Sequence, residues 1–260
     1  MFSGRFHSRN NDLDKIVEKD RYDKKALKYK NAQLGLNTGT LSLAEYLRTP
    51  YFFFDKLLHD KSKKDFLVLE IASGTGSYTL TPLKNKAKVV ATDISHSSLE
   101  VLRIKFSKYT NLKCKVADME LLPFDVASFD LVYSAGGLSY GDNTIVAREI
   151  YRVLKPGGFF ICVDSLNHNP IYIFNRYIHF LLNHRTKSTL RRMPTLKTIE
   201  YYKNLFGKSD VYFFGSIVWC APLLQFFLKP KLIKSFIDWF DSFVNTKKSA
   251  FKFVMIVSKI

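Results

Sequence analysis

The sequence predicts an α/β protein built on a doubly wound, mostly parallel sheet. Two observations carry this. From residue 66 onward, short apolar runs alternate with helix-like segments. The runs are FLVLEIA (66–72), KVVATD (88–93), LKCKVAD (112–118), FDLVYS (129–134) and GFFICVD (158–164), and 77–84, 97–108 and 143–154 separate them. Strands alternating with helices build βαβ units, and runs this apolar belong to a sheet covered on both faces. The second observation is the stretch LEIASGTGSYTL (69–80), where a strand carrying Glu70 breaks into Ser73-Gly74-Thr75-Gly76. Such a break, at the start of a helix, lets the backbone approach a ligand beyond the strand ends.

Bulk properties fit one decorated domain. The chain has 260 residues, 47% of them apolar, enough to bury a substantial core. The net charge is +17, unevenly spread. Residues 1–65 hold 14 basic and 9 acidic residues, 66–165 hold 11 and 10, and 166–260 hold 15 and 4. The middle block is balanced, and the last third is basic like a surface that meets an anion. Cys114, Cys162 and Cys220 form no CxxC pair and no metal-ligand spacing, and read as reduced, mostly core thiols. MFSGRFHSRNND has no apolar stretch of a signal peptide, and no run of about 18 apolar residues occurs. A cytoplasmic protein is expected.

Four segments follow. Residues 1–65 read as a helical lid, with a helix over 12–31 closed near Asn31 and Gly35, and a second over 41–59 broken or kinked at Pro50. Residues 66–165 form the ligand-binding core. Residues 166–209 form a basic helical insertion: IYIFNRYIHFLLNHR, a linker RTKSTLRRMP, and a helix capped by Thr195 and ended by Gly207. Residues 210–260 supply two last strands, DVYFFG and FKFVMIVSKI, around aromatic helices (219–245).

Carboxylates end two further strands. Asp93 closes the second, 17 residues after Gly76, and a carboxylate there can accept both hydroxyls of a ribose. Asp118 closes the third, beside the apolar Met119, a pair that suits an exocyclic amine and a purine face.

LEIASGTGSYT, VVATDIS, ADMELLPFDVASFDLVYS and EIYRVLKPGGFFIC together resemble class I S-adenosylmethionine-dependent methyltransferases of the small-molecule type, over about residues 66–165. The resemblance implies a Rossmann-like, seven-stranded sheet with an antiparallel last strand. It implies S-adenosyl-L-methionine as cofactor, with Glu70 at its methionine end and Gly74 and Gly76 allowing close approach. Asp93 would take the ribose hydroxyls, Ile94 would stack on adenine, and Asp118 and Met119 would hold the adenine edge. Ser134 would offer its backbone near the methionine moiety. Pro156-Gly157-Gly158 would be a structural turn. Ala72 stands where the family usually has Gly, and would be strained at positive φ. The segments RTKSTLRRMPTL, FFGSI and KKSAFKFVM resemble, more loosely, methyltransferases of surface-polysaccharide synthesis. A dinucleotide dehydrogenase is the rival, but it would want a third glycine at position 79, which is Thr.

At the acceptor, a sugar or phenol hydroxyl needs a general base. His168, just after the fifth strand, and Tyr140, after the fourth, are the candidates; a solvated loop and packing are their plainer explanations. His96 neighbours the adenine side, His179 and His184 pack or face solvent, and Tyr22 or Tyr29 could close a lid. No metal-ligand spacing is present. Arg185, Lys187, Arg191, Arg192 and Lys197 read as a solvated basic loop or as a grip on phosphate. With the aromatic helices, they suit a small or lipid-linked, phosphate-bearing acceptor, or a peripheral contact at the inner membrane face. The expected reaction is O-methylation of a sugar or a related small or lipid-linked acceptor. RNA, or another small molecule of quinone or lipid type, is the runner-up acceptor; RNA is disfavoured because no RNA-binding module is visible. A non-catalytic scaffold is a third reading.

Overall fold

A computed structural model of the chain describes residues 3–31, 43–181, 186–244 and 247–260; for 3–13, 29–31, 179 and 181 it describes the backbone alone. One seven-stranded sheet runs through it in the order β3-β2-β1-β4-β5-β7-β6. The strands are β1 (Leu67–Glu70), β2 (Lys88–Asp93), β3 (Leu112–Val116), β4 (Phe129–Ala135), β5 (Leu154–Ser165), β6 (Gly207–Phe214) and β7 (Lys252–Lys259). The first five pair in parallel. The last strand is antiparallel, as the resemblance implied: β7 runs against both β5 and β6.

Strand alternation divides the core into two layers. Val68, Val89, Leu131, Tyr133, Ile161 and Val254 face helices α2 (Thr49–Lys61), α3 (Leu80–Lys84) and α4 (His96–Lys105). Leu69, Ile71, Val132, Phe160 and Met255 face α5 (Asn143–Val153) and α8 (Leu196–Phe206). Helix α5 shows how sequence and layer match. Asp142 caps it by accepting from the N–H groups of Thr144 and Ile145. Val146, Ala147, Ile150 and Val153 form its buried stripe, with each Val or Ile contributing about 1.5–3 kcal/mol of burial.

The remaining helices are α1 (Ser3–Asn31), α6 (Pro170–Leu181), α7 (Lys187–Arg192), α9 (Ala221–Leu224) and α10 (Pro230–Phe243). A third apolar cluster joins Tyr172 of α6 to Val218, Ala221, Ile233 and Ile237. Thr195 caps α8 in a reciprocal box with Thr198, and Gly207 ends it at φ +91°.

Several boundaries differ from the expectations. Of the two expectations for Pro50, a break and a kink, the break holds. Pro50 lies in the first turn of α2, after a short 3-10 turn at Glu45–Leu47, because a first-turn residue has no N–H bond to lose. Strand β5 starts at Leu154, and a register shift opposite Phe129 and Leu131 accommodates the Pro-Gly-Gly stretch, with Gly157 at φ +77°. Strand β6 follows α8 without a loop. All three cysteines are free, but only Cys162 is buried; Cys114 and Cys220 are half-buried. Gly35, His184, Arg185 and the side chains of Tyr29, Asn31 and His179 lie outside what is described. Among the described residues no helix is long and apolar enough to cross a membrane.

Candidate active site

Strand order reverses on either side of β1, which pairs with β2 on one edge and β4 on the other. That is where an open parallel sheet leaves a crevice beyond its carboxyl ends. A cavity of about 340 Å³ lies there, within the roughly 300–1,000 Å³ usual for small-molecule sites. Glu70, Ala72, Gly74, Asp93, Ile94, Asp118, Met119 and Tyr140 line it.

The first wall is the β1 loop. Ala72 has φ +52°, the strained conformation that Ala tolerates poorly, and Gly74 has φ +52° too. A side chain at Gly74 would meet nothing within 4 Å, and the same holds at Gly136 after β4. Both glycines line the cavity, so their backbones face space that a ligand can fill. Ser73, also in the wall, is buried with a hydroxyl that has no hydrogen-bond partner. Open backbone and an orphaned hydroxyl fit a polar ligand with a flat edge, as a nucleoside-bearing cofactor has.

Asp93 organises the next wall. Its Oδ2 accepts from Gly74 N–H at 2.8 Å and its Oδ1 from Ser95 N–H at 2.8 Å. Each oxygen keeps a second lone pair for a hydroxyl. Burial pushes its pKa up, and the N–H groups of Ser95 and Gly74 oppose that. Glu70 is buried beneath the loop and accepts from Thr79 Oγ1 at 2.6 Å. Burial raises its pKa to about 7, the Thr79 bond notwithstanding.

Helix α1 closes the cavity from outside. Lys15 Nζ donates to Asp118 at 2.5 Å and to Glu120 at 2.6 Å. Burial works against the Lys15 charge, yet its two carboxylate partners hold its pKa above the usual value. Asp23 accepts from Ser95 Oγ at 2.6 Å. Glu18 accepts from Thr186 Oγ1 at 2.9 Å and Thr189 Oγ1 at 3.0 Å at the start of α7. Tyr22 donates to the Tyr140 hydroxyl. Lys15, Glu18 and Tyr22 line the cavity. Of these, the sequence pointed only to Tyr22; Lys15 and Glu18 carry no local signal because α1 docking alone brings them in. The Gly136-Gly137 pair after β4 was not singled out from the sequence, although two glycines at a strand end are the same kind of signal as those after β1.

Of the residues expected at the cofactor or as a general base, Gly76, Ser134 and His168 do not line the cavity. Gly76, at φ +77°, lies where a Cβ would strike Phe106 and Leu102 of the α4 region within 2.9 Å, so it lets that helix pack closely. Ser134 is fully buried behind Gly137, its hydroxyl unpartnered; its neighbour Ala135 lines the wall instead. His168 is half-buried after β5 and outside the lining set. His96 starts α4, exposed, 3.8 Å from Glu100. Among the described residues no group of three or more His, Cys, Asp or Glu could hold a metal.

Residues 69–162 match the family model described as a methyltransferase domain. A demethylmenaquinone methyltransferase of Staphylococcus aureus is 34% identical over 107 residues, 40% of this chain and 44% of the relative. The chain therefore matches less than half the length of that relative. Among solved structures, Haemonchus contortus phosphoethanolamine N-methyltransferase 2, in complex with S-adenosyl-L-methionine, superposes with a TM-score of 0.60 at 17% identity. It covers 91% of this chain and 57% of that one. Geranyl diphosphate C-methyltransferase of Streptomyces coelicolor, with geranyl diphosphate and S-adenosyl-L-homocysteine, gives 0.58 at 13% identity, covering 82% and 81%. These structures share the fold. The segment that matches a methyltransferase domain is the one that holds the glycine-broken β1 loop and the strand-end acids.

Proposed function

We propose that the chain is an S-adenosylmethionine-dependent methyltransferase acting on a small or lipid-linked, phosphate-bearing acceptor, with a sugar oxygen as the methylated atom. The observation that carries the enzymatic reading is that Gly74, Asp93 and Asp118, from three successive strand ends, border one cavity. When bound, the cofactor supplies a methyl group on a sulfonium sulfur for in-line displacement. The chain's part is to bind, orient and exclude water. Asp93 is the acceptor for ribose hydroxyls, Asp118 and Met119 the adenine edge, and Glu70 the partner of the amino group at the methionine end. Ser73 adds a free hydroxyl to that wall. Helix α1 covers part of the cavity through Lys15 and Tyr22.

Helix α7 supports the phosphate part of the reading. It packs against the Leu138–Tyr140 turn, whose Tyr140 lines the cavity, and it carries Lys187, Arg191 and Arg192, which are not themselves among the lining residues. Arg forks suit phosphate oxygens. Tyr140 is the candidate to touch the acceptor, and His168 the weaker one, being outside the cavity wall. Burial pushes the Tyr22 phenol up, so Tyr22 serves as a donor to Tyr140 and not as a base.

A second reading is favoured by the sequence likeness to demethylmenaquinone methyltransferases: a quinone-type acceptor. Calorimetry with S-adenosyl-L-homocysteine tests the cofactor half, where binding in the micromolar range is expected and no binding at millimolar ligand sinks the enzyme reading. Methyl transfer is then measured on nucleotide sugars, polyprenyl-linked glycans and quinones. Arg191→Ala with Arg192→Ala raises KM for a phosphate-bearing acceptor about tenfold with kcat held; an unaltered KM returns α7 to a solvated face.

A further inference from the structure

The C-terminal cap carries an apolar surface that the fold leaves uncovered. Helix α10 already buries one seam, Ile233 and Ile237, against Tyr172, Val218 and Ala221. Beside it runs a second apolar stripe, Leu232, Phe236, Trp239 and Phe243, at 56%, 42%, 57% and 73% exposure. The spacing is four, three and four residues, one helical face. The rings form a chain, Phe236 to Trp239 at 6.1 Å and Trp239 to Phe243 at 5.2 Å. The turn after α9 adds Phe226 and Phe227 at 81% and 85% exposure. Single exposed apolar residues are ordinary, but grouped aromatic rings mark a contact surface.

Charge selects the occupant. Lys229, Lys231, Lys247 and Lys248 are exposed around this stretch. The two acids of α10 are turned to internal work. Asp238 accepts from Thr49 and Lys234, and Asp241 accepts from the N–H groups of Gly215 and Ser216. The face therefore shows large apolar rings and lysines, and both carboxylates of α10 are half-buried and already hydrogen-bonded. Two copies meeting through it would set lysines against lysines. A bilayer with anionic headgroups takes both parts, rings into the acyl boundary and ammonium groups onto phosphates.

We propose that the α9–α10 face docks the protein on an anionic bilayer surface, as an amphipathic element lying in the interface plane. The same face is tied to the cavity wall. Helix α10 packs on the Glu45–Leu47 turn, Gln225 donates to the Tyr46 hydroxyl at 2.5 Å, and Arg48 donates to the carbonyl of Leu43, which lines the cavity. Docking sets that wall close to the bilayer, the side from which a lipid-linked acceptor would come; this last link rests on the methyltransferase reading, and the docking does not.

Cosedimentation of the full chain with vesicles tests it, with no cofactor or acceptor present. Vesicles of equal parts phosphatidylglycerol and phosphatidylcholine are expected to bind the protein, and phosphatidylcholine alone at least about tenfold more weakly. Binding falls severalfold when salt rises from about 0.05 to about 0.5 M. Combining Phe226→Ser, Phe227→Ser and Trp239→Ser lowers affinity at least about tenfold, and Lys229→Glu with Lys231→Glu does so independently; thermal melts followed by circular dichroism check that each variant folds. Equal binding to both vesicles, or binding untouched by both variants, overturns the proposal. So does a dimer in sedimentation velocity that the aromatic variant dissociates, since a second copy would then cover the face. Failure of S-adenosyl-L-homocysteine to bind would remove the enzyme reading while leaving the vesicle result standing.

Discussion

The Tyr22 hydroxyl donates to the Tyr140 hydroxyl at 2.5 Å, and the two rings meet edge-on with centroids 5.5 Å apart. This pair ties a helix from the N-terminal segment to the turn after β4, across the cavity. Removing the donor with Tyr22→Phe keeps the ring contact and loses the bond, worth about 1 kcal/mol net. Affinity for S-adenosyl-L-homocysteine is expected to fall about fivefold by calorimetry, with faster hydrogen exchange in α1. Unchanged affinity and exchange would show that the lid does not depend on this bond.

Asp93 supports both the loop and the ligand. Asp93→Asn keeps one carbonyl oxygen for a backbone N–H but loses the charge, and Asp93→Ala loses both. Hydrogen bonds to a charged group are worth about 1.5–3 kcal/mol. S-adenosyl-L-homocysteine affinity should drop at least about tenfold in Asn and beyond detection in Ala, with the fold kept by circular dichroism. An affinity equal to that of the parent chain in both would take Asp93 out of the site.

Ala72 pays a conformational cost at φ +52°. An L-residue in the left-handed region loses roughly 1–2 kcal/mol, of which Gly would recover about 1 after its own chain entropy. Ala72→Gly should raise Tm by about 2–4 °C. A lower Tm would mean that the methyl group packs usefully enough to outweigh the strain.

Glu70 gives a pH dependence with a definite sign. Burial raises its pKa from 4.5 to about 7, so between those values the folded chain holds a proton that the unfolded chain has lost. Stability therefore falls as pH rises through this window, by about 3 kcal/mol in full. Glu70→Gln should flatten that part of a denaturant-midpoint profile and be the more stable protein at pH 8. A profile with the same slope in both proteins would assign the pH dependence to other groups.

Much of the site was legible because its signals are local. A strand that ends in glycines, and acids placed at the next two strand ends, are set by a few consecutive residues each, and strand alternation then sends them to one edge. Ala72 was legible as a departure from the family, but its φ was not, since only the closed loop fixes it. Lys15 and Glu18 left no trace, because neither has a local pattern and their partners Asp118 and Thr186 lie more than a hundred residues away. His168 was placed by its position after β5, and the path of the chain beyond that strand leads it away from the wall. Pro50 reads equally as a kink or as a helix start until the preceding turn is seen.

The amino-acid sequence by itself determined the sheet, its strand-end carboxylates and the basic, aromatic character of the last third, because periodicity, turn chemistry and charge act over short spans. Only the tertiary structure decided which helix roofs the cavity, which acids are held by Lys15, and which aromatic rings remain outside the core. Those are outcomes of packing between distant segments, where burying one face of a helix settles what its other face meets.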